Sequence, residues 1–207
     1  CRHLEDNRNL RAMKTSYRQA YELLSSRQVR RALDLSLEPL AVRERYGRHR
    51  SGQACLLARR LVEIGVPWIT VIWNHSNRGQ DREPKNTDLY GWDTHNDIFE
   101  ALKDHLVPRF DESFSALLED LEQRGLLDST LVVCMGEFGR APKVALERNF
   151  KGSSPGRKHW AAAYSLVVAG AGVGRGQVVG ATDRTGGYVK GATIGPWDIA
   201  ATMFSSL

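Results

Sequence analysis

"QACLLARRLVEIGVPWITVIW", residues 53–73, joins a helical pattern directly to an uncharged extended one. Residues 53–65 carry apolar side chains at helical spacing and finish at Gly65, the residue type that most often closes a helix. Residues 66–73 are mostly β-branched or aromatic and carry no charge, which is typical of a strand buried on both faces. Because a helix followed by a buried strand is the building unit of α/β domains, this stretch favours that class.

The same alternation of helices and uncharged strands continues on both sides of this stretch. It predicts an α/β fold with a mostly parallel central sheet flanked by helices. In such sheets, ligands bind at the carboxyl ends of the strands. The other predicted elements are a helix at residues 10–35, a surface loop at 74–90, a helix at 96–124 that Pro108 kinks or divides, strands at Thr130–Met135 and about 163–169, a short strand or hairpin arm at 176–183, and a last helix with Pro196 in its first turn.

An Arg-rich connection with two glycines, residues 42–52, is the expected domain boundary, and Ser51 is the expected cap of the helix that follows. We therefore expect a basic helical segment over residues 1–50 and the α/β domain over residues 51–207. The chain has 207 residues, 42% of them hydrophobic, and no apolar run of about 18 residues that could span a membrane. Both termini interrupt a sequence pattern, so we expect a fragment of a longer protein.

Charge is distributed unevenly along the chain. Residues 1–60 hold 14 Lys and Arg against 6 Asp and Glu, whereas the rest holds 15 against 18. A basic flank can meet an anionic polymer or membrane surface, or it can be a solvated arginine-rich helix. No nucleic-acid-binding motif accompanies it, so we expect no nucleic-acid partner. Cys55 and Cys134 fall in apolar patterns without CxxC spacing, and this indicates buried free thiols.

Three polar clusters lie beside predicted strands. Carboxylates and imidazoles are ligands for a divalent metal ion, and guanidinium groups bind tetrahedral anions. Together these groups are what the hydrolysis of a phosphate or sulfate ester needs. The clusters are Asp93 with His95, Glu137 with Arg140, and Arg157 with His159.

Each cluster also has a purely structural explanation. A helix cap, an ion pair in a loop and a packed core histidine are all common in proteins without a metal. Asp93 or Thr94 can cap the following helix, Glu137 and Arg140 can pair with each other, His159 can pack beside Trp160, and His75 is a weaker candidate of the same kind.

Five ordered motifs resemble one known family, over roughly residues 35–207. They are "LLARRLVEIGVPWITV", "GWDTH", "LLEDLEQRGLLDSTLVVCMGEFGRAP", "GRKHW" and "VVGATDRTG". The family is domain of unknown function 1501, whose members are labelled sulfatase-like and grouped with alkaline phosphatases and sulfatases. The resemblance implies the C-terminal part of an alkaline phosphatase-like α/β domain. It also implies that Asp93, His95, Glu137 and His159 are metal ligands.

Two departures from that superfamily affect the expected chemistry. Phe138 stands where a second histidine ligand belongs, so a two-zinc site is not expected. The nucleophile and the first metal-binding aspartate have no counterpart in this chain, so we expect it to be inactive alone.

The expected function is a metal-dependent hydrolase of sulfate or phosphate esters, in which Arg140 and Arg157 hold the anion. The substrate would be a sulfated or phosphorylated small molecule or polysaccharide. Zinc is the first expectation for the metal, with calcium, manganese and magnesium as alternatives. The resemblance suggests a periplasmic or secreted protein. The alternative function is a non-catalytic binding or structural relative that keeps the fold and a metal.

Overall fold

A computed structural model describes residues 8–73, 91–149, 154–191 and 193–205, without the side chains of residues 8–12 and 23. The predicted loop at residues 74–90, with His75, lies outside the described residues. The helices are α1 (Arg8–Ser25), α2 (Arg27–Leu33), α3 (Leu40–Arg45), α4 (Arg50–Glu63), α5 (Ile98–Glu100), α6 (Val107–Gln123) and α7 (Pro196–Ser205). None of the described helices is long and apolar enough to cross a membrane.

Capping side chains decide where the first helices begin and end. The predicted helix at 10–35 is divided because the hydroxyl of Ser26 accepts a hydrogen bond from the backbone N–H of Gln28 and starts α2. The prediction that Ser51 caps α4 is wrong, because the cap is His49, two residues earlier, whose Nδ1 accepts a hydrogen bond from the Gly52 N–H. Gly65 follows the end of α4 in a left-handed conformation, with φ of 78°, as the sequence predicted.

The predicted division near Pro108 is confirmed. α5 is followed by a π-helical turn, Ala101–Leu106, and α6 begins at Val107 with Pro108 in its first turn. Proline has no N–H to donate and its ring displaces the preceding turn, so a widened turn before it restores the path of the helix. The last helix likewise begins at Pro196, as predicted.

The prediction of a mostly parallel central sheet flanked by helices is wrong. The described residues form three two-stranded antiparallel pairs instead. β1 (Val132–Cys134) pairs with β4 (Val167–Ala169), β2 (Gly139–Arg140) with β3 (His159–Trp160), and β5 (Ala181–Thr182) with β6 (Val189–Lys190). The strand predictions at Thr130–Met135 and about 163–169 therefore hold in shortened form, and the predicted hairpin arm contains β5, whereas the predicted strand at 66–73 is not formed.

The physical reason lies in what joins and covers these strands. Parallel neighbours need a crossover connection, usually a helix, but the chain between β1 and β4 forms the β2–β3 pair and returns antiparallel. Residues 66–73 form neither helix nor strand and belong to none of these strand pairs. Val71 and Trp73 pack against the helical core, whereas Trp68 is 58% and Ile72 69% exposed. An uncharged run predicts that a segment packs against apolar side chains, but it does not show whether one face or both faces of the segment are covered.

The main core lies between α4 and α6. Its fully buried members include Leu56, Ala116 and Leu121, and Val132 of β1 packs against them. Cys55 belongs to this core, is a free thiol as predicted, and burial raises its pKa to about 12. Cys134 is also free but only half-buried.

A charged network crosses the same interface. The guanidinium of Arg59 is 1% exposed, with Nη2 2.9 Å from Glu38, Nη1 2.7 Å from Glu63 and Nε 2.9 Å from Asp120. The hydroxyl of Tyr46 donates to Asp120 Oδ2 at 2.9 Å. Burial and the charge of Asp120 raise the pKa of Tyr46, so its hydroxyl stays protonated as a donor. Helix α4 is therefore joined to α6 by charge as well as by apolar contact.

We expect Tyr46→Phe to lower the free energy of unfolding by about 2 kcal/mol, because a buried carboxylate loses one donor while the ring keeps its packing. Urea denaturation measures this change. Tyr164→Phe, at a partly exposed tyrosine, is the control and should change stability by less than about 0.5 kcal/mol. Equal stability of Tyr46→Phe and the native protein would show that the hydroxyl contributes nothing to the network.

Candidate metal centre

Asp93, His95 and His159 converge on one point. One ligand atom from each lies within 4.8 Å of the other two. Asp93 Oδ1 is 2.6 Å from His159 Nε2 and 3.2 Å from His95 Nε2. The two imidazole rings lie 4.7 Å apart between centroids. Three of the predicted metal ligands thus come together, from segments 66 residues apart in the chain.

Two different kinds of local structure supply these side chains. Asp93 and His95 lie on the irregular segment that precedes α5, and His159 lies on β3 opposite Arg140 of β2. Neither Asp93 nor Thr94 caps α5, because the helix begins only after Asp97, which has a left-handed backbone with φ of 54°. The side chains of Asp93 and His95 are therefore not used as helix caps.

Hydrogen bonds from the connection between β2 and β3 fix the segment that carries His95. Asn96 and Glu147 bond reciprocally: the Asn96 amide donates to the Glu147 carbonyl at 2.8 Å, and the Glu147 N–H donates to Asn96 Oδ1 at 2.9 Å. The Asp97 carboxylate accepts from the N–H and hydroxyl of Ser154. The Arg157 N–H donates to the His95 carbonyl at 2.9 Å. We call this set of contacts the His95 clamp.

Gly156 allows the clamp to close. A Cβ atom at this position would lie 1.6 Å from the His95 carbonyl oxygen and 2.6 Å from its carbon. Only glycine permits so close an approach of two backbones. The sequence "GRKHW" therefore contributes a packing glycine as well as a ligand.

The two predicted anion-binding arginines donate to backbone carbonyls. Arg140 donates to the carbonyls of Trp92 at 3.1 Å and Arg157 at 3.4 Å, and its Nη2 lies 3.6 Å from Asp93. Arg157 donates to the carbonyls of Ala141 at 2.6 Å and Arg140 at 2.9 Å. In this arrangement the guanidinium groups join the loops around the cluster.

The predicted ligand Glu137 is exposed and is not one of the three residues of the metal-ligand cluster. Its neighbour Phe138 stacks on His159, with ring centroids 5.2 Å apart and planes 14° apart. Phe138, which stands where the superfamily has a histidine ligand, therefore covers one face of the His159 ring.

The electrostatics of the cluster favour an ionised carboxylate. Burial acts to raise the pKa of Asp93, but the hydrogen bond with His159 and the charges of His95, His159 and Arg140 outweigh it and hold the pKa below its usual value. Burial lowers the pKa of Arg140, and Asp93 opposes that change. A carboxylate must be ionised to bind a metal, and Asp93 meets this requirement at neutral pH.

The donor set fits one divalent metal ion. Tetrahedral zinc with bonds of about 2.0–2.1 Å separates its ligand atoms by about 3.3 Å. The 3.2 Å between Asp93 and His95 matches this spacing, whereas the 2.6 Å between Asp93 and His159 is a hydrogen-bond distance that must lengthen. His159 is exposed and His95 is buried, so we expect the His159 side chain to move when a metal binds.

Sequence reasoning missed Glu147, Asn96, Asp97 and Ser154. Glu147 Oε2 lies 3.2 Å from His95 Nδ1, the ring nitrogen that faces away from the cluster. The segment around Glu147 has neither strand nor helix periodicity, and 52 residues separate it from His95. No local pattern could have indicated the contact.

Comparison with known proteins gives one family and no closer relative. A family model described as "Protein of unknown function (DUF1501)" matches residues 2–207. Neither the curated proteins nor the solved structures give a significant match. The family match spans the metal-ligand cluster, the clamp and the helical core alike, and on this match the chain belongs to the DUF1501 family of proteins of unknown function.

Proposed function

We propose that this protein is a metal-dependent hydrolase of sulfate or phosphate esters, of the sulfatase-like kind, with Asp93, His95 and His159 as the metal ligands. The observation that carries the proposal is the convergence of one carboxylate and two imidazoles within 4.8 Å. Three protein ligands leave a coordination position for substrate, as in catalytic zinc sites. A bound divalent ion would supply Lewis-acid polarisation of an ester oxygen.

The ligand types favour zinc over the alternatives. Two imidazoles and one carboxylate suit zinc and manganese, whereas calcium and magnesium prefer sites made of oxygen atoms. The buried His95 would anchor the ion, and the more exposed His159 and Asp93 would border the substrate side. A sulfated or phosphorylated small molecule or polysaccharide is the proposed substrate. A periplasmic or secreted location belongs to the same proposal and rests on the family resemblance.

A second candidate function is a non-catalytic relative that keeps the metal. The observation in its favour is that Arg140 and Arg157 each donate two hydrogen bonds to backbone carbonyls, which leaves fewer of their five N–H groups for an anion. Phe138 on His159 adds an apolar group where an ester hydrolase of this kind would gain from charge. In such a protein the metal would join the segment that precedes α5 to strand β3.

Metal binding tests what the two candidates share. We expect the native protein to bind one Zn²⁺, and His159→Ala to bind it about 100-fold more weakly, because one of three ligands is lost. Competition with a chromophoric chelator measures the affinity, and mass spectrometry the stoichiometry. His105→Ala, a histidine outside the cluster, is the control and should bind zinc like the native protein. Equal affinities of native protein and His159→Ala would refute the site.

Ester turnover separates the two candidates. The assay uses the zinc-loaded full-length natural protein with aryl sulfates and aryl phosphates, beside its His159→Ala variant, because residues 1–207 contain no counterpart of the superfamily's nucleophile. Turnover that disappears in the variant supports the hydrolase. Stoichiometric zinc without turnover of either ester class supports the non-catalytic relative.

A further inference from the structure

The ring of His95 lies between two carboxylates. Nε2 faces the cluster, 3.2 Å from Asp93 Oδ1, and Nδ1 faces Glu147 Oε2, also at 3.2 Å. A neutral imidazole has one proton, and the hydrogen bond at one nitrogen decides which nitrogen keeps a lone pair. The two carboxylates therefore compete for that proton, and only a proton on Nδ1 leaves Nε2 able to bind a metal.

We propose that Glu147 is the positioning residue that holds the proton of His95 on Nδ1 and so turns the Nε2 lone pair toward the metal. The proposal rests on the metal site proposed above. A carboxylate behind a metal-binding histidine fixes its tautomer and raises its basicity.

The surroundings of the two carboxylates favour Glu147 in this competition. Its side chain is 12% exposed, against 39% for Asp93, so water screens its charge less. Asp93 Oδ1 is already engaged by His159 at 2.6 Å and lies 3.6 Å from Arg140. The backbone of Glu147 is fixed by its two hydrogen bonds with Asn96, next to His95 in the chain.

Lys158 offers a matched control. Its ammonium lies 3.4 Å from the other oxygen of Glu147, Oε1, and its side chain is 62% exposed. Removing this lysine leaves Oε2 and its contact with His95 in place. An exposed ion pair of this kind contributes little to the structure.

Without Glu147, the proton of His95 should move to Nε2, where Asp93 accepts it. The resulting hydrogen bond would occupy the lone pair that the metal needs. We therefore expect two linked changes in Glu147→Ala and Glu147→Leu: the tautomer reverses and zinc affinity falls 10- to 100-fold. Leucine preserves side-chain volume where alanine leaves a cavity, so at least one variant keeps the local packing.

The experiment records ¹⁵N shifts of the histidine rings in the metal-free protein at about pH 8.5, some two units above the usual imidazole pKa. Zinc affinity is then measured on the same samples. We expect Nδ1–H in the native protein and in Lys158→Met, and Nε2–H in both Glu147 variants. A native ring protonated on Nε2, or a variant ring that stays Nδ1–H, would overturn the proposal even if zinc affinity fell, because the glutamate would then serve only as structural support.

Failure of the metal site gives a different result from failure of this inference. A native protein that binds no zinc refutes the proposed function, whatever the tautomer. A native protein that binds zinc, with variants of unchanged tautomer, refutes only the role of Glu147.

Discussion

Gly156→Ala should abolish zinc binding and lower the free energy of unfolding by about 3 kcal/mol. The new Cβ would lie 1.6 Å from the His95 oxygen, 2.6 Å from the His95 carbon and 3.0 Å from the Asn96 Cα. All three are backbone atoms, so no side-chain rotation relieves the overlap. The two segments must separate, and the Arg157-to-His95 hydrogen bond that joins them is lost.

A glycine close by in the chain provides the control for this substitution. A Cβ at Gly136 would meet nothing nearer than the Phe138 carbonyl oxygen at 4.0 Å, and its φ is not in the left-handed region. Gly136→Ala should therefore bind zinc and unfold like the native protein. Chelator competition and urea denaturation measure both variants. Native zinc affinity in Gly156→Ala would mean that the loop at residues 154–157 does not position His95.

Arg59→Met should lower the free energy of unfolding by about 3–5 kcal/mol, the second large effect. Methionine fills much of the same space, but it leaves Glu38, Glu63 and Asp120 facing one another without the cation between them. Two of these carboxylates, Glu38 and Asp120, are less than a tenth exposed, so water cannot replace the lost charge. Arg60 still pairs with Glu38, and Arg124 with Glu63 and Asp120, so the cost is that of buried carboxylates that lose one of their two cations.

An exposed arginine pair sets the baseline for that measurement. Arg175 pairs with Glu122 at 2.6 Å, with side chains 74% and 52% exposed. Arg175→Met should change the free energy of unfolding by less than about 0.5 kcal/mol, because exposed pairs are hydrated and screened. Urea denaturation of both variants gives the comparison. Similar changes in the free energy of unfolding for Arg59→Met and Arg175→Met would mean that the buried network at Arg59 contributes no more than an exposed ion pair.

Local rules identified most of the helices from the sequence. The glycine stop at Gly65 and the proline effects at Pro108 and Pro196 were all readable, because each acts within one turn of the chain. Ser51 was misassigned because a histidine two residues earlier accepts the capping hydrogen bond. Ring nitrogens are uncommon caps, so residue type alone pointed to the wrong side chain.

The sheet was not readable because strand pairing is set by distant partners. The uncharged runs at 66–73 and at Val132–Cys134 look alike in sequence, yet only the second is hydrogen-bonded to another described strand. Whether a strand is parallel depends on the connection, and nothing in residues 135–166 indicates the β2–β3 pair that reverses the chain. The sequence pattern shows which segments are apolar, whereas the sheet topology depends on which segments the connections bring together.

The sequence identified the metal-ligand candidates because their residue types are informative. It did not identify the residues that surround them. Asp93, His95 and His159 stand in short motifs, and the structure brings them together. Glu147 and Asn96 act through contacts across 51 or 52 residues, and the amide of Asn96 bonds to backbone atoms that any residue at position 147 would offer. Such partners become visible only once the chain is folded.

The convergence of Asp93 and His159 also allows a bound ion to restrict the conformational entropy of the unfolded chain. Their side chains meet although 66 residues separate them along the sequence. A crosslink that closes a loop of this length removes about 4 kcal/mol of entropy from the unfolded chain. An ion shared by the two would act as such a crosslink, one that can be removed with a chelator and restored. The fold and the site would then be stabilised together, by the same atom.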